Sequence, residues 1–261
     1  MNNMTTTIAF ANQKGGVGKT TSAAILAAGL AMRGLATLLV DLDPQGHAAL
    51  SLGLPKSPGL YRFVCLDKPL ESVIVHAAPH LDLLPGDRTT ESFTRQIARM
   101  DFPDSVLADL LTPSPYDVVV LDLAPSRDAL HRNGIFASDW VVIPTRLEPL
   151  SLDGVAEVLS LIQELPGRQN CNRGYSILPT FFERTTRETL TQFRKLADVH
   201  GSQVWPPIPQ DAHMRESSSN IQSLWNAKRS TPAMDGFKSG RMHLGGYRQA
   251  LERLLEVVHA K

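Results

Sequence analysis

Two kinds of segment alternate along the chain. Short apolar runs bounded by Gly, Pro, Asn or Asp recur, and longer stretches with apolar residues at helical spacing lie between them. The runs predict strands at Thr6–Ala11, Ala36–Asp41, Leu81–Pro85, Tyr116–Asp122, Asp139–Pro144 and Gly174–Leu178, with a short one near Val204. Several are β-branched and apolar at successive positions, as strands buried on both faces are. The helical stretches are Lys19–Arg33, Thr89–Met100, Asp104–Leu111, Ser126–Ala137, Leu152–Leu165, Thr186–His200 and Gly245–His259. Strands alternating with helices predict an α/β fold, a doubly wound, mostly parallel sheet flanked by helices. Ligand sites in such a fold lie beyond the carboxyl ends of the strands. Between Pro206 and Gly246 the periodicity fades into Ser, Gly, Pro and polar residues, which predicts loops and short helices over one face.

Chemistry concentrates after the first strand. The run Thr7-Ile8-Ala9-Phe10-Ala11 leads into Lys14-Gly15-Gly16-Val17-Gly18-Lys19-Thr20-Thr21-Ser22 and then an Ala- and Leu-rich helix. A strand, a glycine turn and a helix in that order aim successive backbone N–H groups and the positive helix end at one place, a phosphate cradle. Lys19 would reach the β- and γ-phosphates and the Thr20 hydroxyl would bind Mg²⁺. Gln13 occupies the place of the first glycine of the usual G-x-x-x-x-G-K-[ST] loop, and Lys14 adds a second lysine. A lone lysine there reads as a solvated charge. The whole string resembles the deviant Walker A box of the ParA/MinD ATPases, P-loop NTPases in which this early lysine crosses a dimer interface to the partner's phosphates. The resemblance implies ATP and Mg²⁺ as cofactors, weak ATPase activity and a homodimer formed with ATP.

Later motifs gain meaning from that loop. The second strand ends Leu39-Val40-Asp41-Leu42-Asp43-Pro44-Gln45-Gly46. Alone, this reads equally as a turn. It resembles the family's D-x-D-P-Q-G segment, which makes Asp43 the residue that positions the attacking water and Asp41 a support of the Mg²⁺ shell. Tyr116-Asp117-Val118-Val119-Val120-Leu121-Asp122 has the Walker B pattern of an apolar strand ending in Asp, so Asp122 would hold Mg²⁺ through its water shell; a helix-capping Asp fits as well when taken alone. The family continues Asp-x-Pro-Pro, whereas this chain has Ala124 in place of the first proline, which predicts a less rigid second switch. Pro144 through Gly154 resembles the family's P-x-x-x-E-x-x-x-L-x-G segment near the nucleotide and dimer contact. Glu148 and Asp153 read equally as helix-start acids. Ile177-Leu178-Pro179-Thr180 and Pro207-Ile208-Pro209-Gln210-Asp211 fall where relatives surround adenine, and Pro209 and Gln210 are the candidates there.

The bulk properties narrow the partners. At 261 residues the chain suits a single P-loop ATPase domain over 1–261. A formal net charge of zero means that any binding to DNA or membrane must come from a local patch. Cys65 and Cys171 form no C-x-x-C pair, which argues against thiolate-held clusters. The histidines are scattered, and Pro79 spoils the one i, i+4 pair, His76 and His80. No charged-then-apolar leader is visible and the apolar runs are too short to span a bilayer, so the expected location is cytoplasmic. Nothing before Met4 leaves room for an N-terminal DNA-reading domain, which in this family marks the short form.

ParA/MinD relatives differ in the surface they bind. The last helix carries an apolar stripe, Leu244, Tyr247, Leu251, Leu254, Leu255 and Val258, opposite a face that mixes Glu252 and Glu256 with Arg248 and Arg253; this suits a core-docked helix rather than a membrane anchor. Arg187, Arg194 and Lys195 on one predicted helix, with His213 and Arg215 beyond Pro209, are candidate phosphate contacts to nonspecific DNA, although each alone also reads as a solvated charge. Lys228, Arg229, Lys238 and Arg241 add a second basic stretch. The resemblance implies a nucleoid-associated ATPase that works with a ParB-like activator to distribute a plasmid, a chromosome or a protein assembly. A MinD-like positioning ATPase on membrane is the alternative.

Overall fold

The computed structural model describes residues 5–148, 151–165, 174–212, 214, 221–227, 231–239 and 242–260. Its main sheet contains β1 (Thr6–Phe10), β2 (Thr37–Leu42), β3 (Val75–Ala78), β4 (Leu81–Leu84), β5 (Val118–Leu123), β6 (Trp140–Arg146) and β7 (Gly174–Thr180), in the order β3-β4-β2-β5-β1-β6-β7. All neighbours are parallel except β3 with β4. The described helices are α1 (Lys19–Met32), α2 (His47–Ser51), α3 (Gly59–Cys65), α4 (Thr90–Ile97), α5 (Val106–Leu110), α6 (Ala129–Ala137), α7 (Ser151–Glu164), α8 (Arg187–His200), α9 (Ile221–Asn226), α10 (Pro232–Asp235) and α11 (Gly246–His259).

Strand periodicity sorts the core into two layers. Ile8 and Phe10 face one side with Leu39, Val120 and Val142, and are covered by α1, α9 and α11. Ala9 and Ala11 face the other with Val40, Leu121 and Ile143, covered by α4, α6 and α7. Both faces are therefore buried, which is why these strands read as near-continuous apolar runs.

Helix α1 is buried along most of its length because its small residues admit close neighbours. A Cβ on Gly29 would lie 2.6 Å from Trp225 Cζ2, and the Trp225 indole donates to the Ile25 carbonyl at 2.9 Å. Tyr247 of α11 shares a 3.0 Å hydrogen bond with Ser22. Tyr247, Leu251, Leu254 and Leu255 are buried, so the terminal stripe is a core face, as its mixed polar side suggests. Leu244 does not belong to that stripe. It ends the short hairpin of β8 (Phe237–Ser239) and β9 (Met242–Leu244) and is 49% exposed. No described helix is long and apolar enough to cross a membrane.

Some boundaries differ from the sequence expectation for local reasons. The helix expected from Ser126 begins at Ala129, because Pro125 and Ser126 form a turn and the Asp128 side chain caps α6 by accepting the His131 N–H at 3.0 Å. Near Val204 there is a single parallel bridge to Ile177 rather than a strand. The region after Pro206 holds the β8–β9 hairpin in addition to short helices.

Candidate nucleotide site

Three adjacent strands deliver the site. Phe10, Asp122 and Asp41 are register partners at the carboxyl ends of β1, β5 and β2, so the glycine loop and both carboxylates meet at one edge of the sheet. Asn12 anchors the loop. Its buried amide donates to the Pro144 carbonyl at 2.8 Å and its oxygen accepts the Lys14 N–H at 2.9 Å. Gly154 of α7 makes room for it, since a Cβ there would stand 2.6 Å from Asn12 Oδ1. Gly16 (φ 71°) and Gly18 (φ 85°) are left-handed, and the space beside Gly15 and Gly16 is open. The Thr180 hydroxyl donates to the Val17 carbonyl at 2.9 Å, tying the end of β7 to the loop.

Inside the loop Lys19 is nearly buried and donates from Nζ to the Lys14 carbonyl at 3.0 Å. Burial lowers its pKa, while Asp122 and Asp43 act against that shift. Asp122 is fully buried, and neither of its oxygens has a hydrogen-bond partner. Burial drives its pKa up to about 7; the Thr20 hydroxyl, close by but completing no bond to either oxygen, and Lys19 pull back, while Asp43 adds to the rise. Asp41 is held by the backbone N–H groups of Asp43 (3.1 Å) and Ala48 (3.0 Å), and burial, then the Asp122 charge, raises its pKa well above normal. Asp43 closes a turn by accepting the Gln45 N–H at 2.8 Å. Gly86 packs against this segment so closely that a Cβ would lie 2.4 Å from the Asp41 carbonyl oxygen.

At the rim, Lys14 Nζ meets Glu148 Oε2 at 3.0 Å, and Glu148 Oε1 meets Arg146 Nε at 3.0 Å. The hydrogen bond from Lys14 is the main reason the Glu148 pKa is lowered. Arg146 lies over the Phe181 ring, 4.8 Å from its centre. Arg127 joins the side chains of Gln13 and Glu157. Pro209 and Gln210 run beside Phe182, where Phe182 N–H donates to Ile208 at 2.9 Å and Gln210 N–H to Phe182 at 3.1 Å, so this segment reaches the loop through Thr180.

Arg187, Arg194 and Lys195 are exposed on α8, and among the described residues none of them pairs with a carboxylate. Arg184 lies over Phe237 at 5.1 Å. His213 and Arg215, with Lys228, Arg229 and Arg241, lie outside the described residues. Sequence reasoning missed Asn12, Gly86 and Arg127. Asn12, a polar residue directly after an apolar strand, and the Pro85-Gly86 turn pair are the signals that point to the first two.

Orphaned carboxylate oxygens beside a threonine hydroxyl, a buried lysine and an open glycine loop fit a nucleoside triphosphate with Mg²⁺. No group of three or more His, Cys, Asp or Glu among the described residues could hold a metal by itself. The fold and this site define a P-loop nucleoside triphosphatase.

Comparison with known proteins refines that class. Residues 5–173 match the family described as AAA domain. The chromosome-partitioning ATPase Soj of Thermus thermophilus is 35% identical over 233 residues, covering 88% of this chain and 92% of that protein. Cobyrinic acid a,c-diamide synthase from Mycobacterium smegmatis, solved with ADP and magnesium, superposes with a TM-score of 0.73 at 28% identity, over 88% of this chain and 98% of that one. A plasmid partition protein structure from Borrelia burgdorferi bound to AMPPNP shares the fold, with a TM-score of 0.76 at 22% identity over 98% and 99% of the two chains. The chain belongs to the ParA/Soj family of partition ATPases. It is an ATPase, and its cofactors are ATP and Mg²⁺.

Proposed function

We propose that the chain is one ATPase domain over residues 1–261, which dimerises with ATP, binds DNA without sequence preference and is released when a ParB-like partner stimulates hydrolysis. The N–H groups of Gly15, Gly16, Val17, Gly18 and Thr21 hold the phosphates, and Pro209 and Gln210 border the adenine. Thr20 and Asp122 would hold Mg²⁺ through its water shell with Asp41 in support, and the ion would neutralise phosphate charge. Asp43 orients the attacking water. Lys19 in cis and Lys14 from the partner offset the charge that develops on the transferred group. The observation that carries the reading is Lys14, a second lysine at the open rim of a loop whose own phosphate lysine is already in place.

Exposed Arg187, Arg194 and Lys195 support DNA as the bound surface, doubled on a dimer, with phosphate contacts rather than base reading. The membrane alternative loses its element, since the apolar face of α11 is spent on α1. The expected setting is the cytoplasm at the nucleoid, and the cargo a plasmid, a chromosome or a protein assembly. DNA retention with ATP, ADP or no nucleotide across a salt series tests this reading. Retention confined to ATP and falling steeply with salt is expected; retention independent of nucleotide, or none at any salt, refutes it.

A further inference from the structure

His131 stands behind the second switch, in the first turn of α6, and is 2% exposed. Its Nδ1 lies 3.1 Å from the Ala124 carbonyl oxygen. A carbonyl can only accept, so Nδ1 carries the proton and Nε2 is a bare acceptor. Nε2 is buried without a partner. The same Ala124 oxygen accepts the Ser126 N–H at 2.9 Å, closing a tight turn around Pro125, whose fixed φ suits an inverse γ-turn. This turn starts two residues after Asp122, where the family pattern's first proline is replaced by Ala124.

We propose that His131 is a positioning residue for ATP hydrolysis, its Nδ1–H clamping the Ala124 carbonyl and so fixing the turn that leads out from Asp122. The inference rests on the reading of Asp122 as a residue of the Mg²⁺ shell. The clamp supplies from the side the stiffness that alanine cannot supply from within the chain. Stability alone does not call for an imidazole here. Its Nε2 bears the cost of an unpaired buried acceptor, which a leucine would not, and the Ala124 oxygen keeps the Ser126 N–H when the ring is removed. Burial lowers the His131 pKa, with Lys19 adding to the shift and the Ala124 hydrogen bond and Asp128 opposing it, which favours the neutral ring; Nδ1–H donates to Ala124 in either charge state.

The test compares wild type, His131→Asn and His131→Leu in kcat, KM for ATP and Tm. An asparagine amide reaches the position of Nδ1 and can donate to Ala124; leucine cannot. The expected result is kcat for His131→Asn within about threefold of wild type. For His131→Leu it is a loss of about tenfold or more in kcat with KM little changed and Tm not lowered. Wild-type kcat in His131→Leu, equal losses in both variants, or a loss of kcat that follows a fall in Tm would overturn the clamp. Asp122→Asn, assayed alongside, separates the two readings. If it hydrolyses Mg-ATP normally, the metal-shell assignment fails, whatever the His131 variants do.

Discussion

At Asp122 two carboxylate oxygens are buried with no donor to meet them, an arrangement that is costly until a cation arrives. With its pKa raised from the usual 3.8 to about 7, this carboxyl is protonated in the folded protein below about pH 7. Stability from this group is therefore full below about pH 4, declines as pH rises through about 7, and is absent above it. Asp122→Asn removes the charge while keeping the shape. Thermal unfolding in EDTA should show the variant more stable than wild type at pH 8, by on the order of a few kcal/mol, with the gap closing toward pH 4; equal stability at both pH values would show that burial does not strain this group. Asp43, by contrast, is half-buried and engaged with its own turn. Asp43→Ala should bind ATP as wild type does, while single-turnover hydrolysis slows by about 10²-fold. Hydrolysis at the wild-type rate would remove Asp43 from the reaction.

Among the elements, α1 and α11 show what kept two possibilities apart. An apolar stripe on a terminal helix serves a core or a membrane, and the sequence distinguishes them only through the mixed charge on the opposite side. The contact that decides is between Tyr247 and Ser22, 225 residues apart. Gly29→Val places side-chain atoms against Trp225 and should lower stability by about 1–3 kcal/mol in urea unfolding; an unchanged midpoint would mean that α9 does not seat on α1 as described. The strands and long helices were legible because each carries its own periodicity or its own motif. Helices α2 and α3 and strand β3, at five, seven and four residues, are too short for periodicity to declare. The site divides in the same way. Lys14, Lys19 and Thr20 were readable because one contiguous string holds them, and Asp41 and Asp122 because each ends an apolar strand. The pairing of Lys14 with Glu148, the anchoring of Asn12 on Pro144 and the clamp of His131 on Ala124 join segments that only the fold brings together.

For the whole molecule, one end of the sheet gathers the glycine loop, both carboxylates and the half-exposed Lys14–Glu148 pair, while α8 presents basic residues to solvent. If the ATP dimer binds DNA through that helix, Arg187→Ala combined with Arg194→Ala should reduce retention on DNA in ATP and flatten its salt dependence, leaving dimerisation intact. Full retention by the double variant would move the DNA surface elsewhere. The Lys14–Glu148 pair is half exposed, so its loss in Lys14→Ala should disturb folding little. That variant therefore isolates the role proposed for Lys14 in assembly. The most direct measurement is the solution mass of wild type and Lys14→Ala by light scattering with Mg-ATP and with Mg-ADP. Doubling of the wild-type mass in ATP alone, with Lys14→Ala monomeric in both nucleotides, is the expected result. A wild type that stays monomeric in saturating Mg-ATP, or a Lys14→Ala protein that doubles in mass as readily, would contradict it.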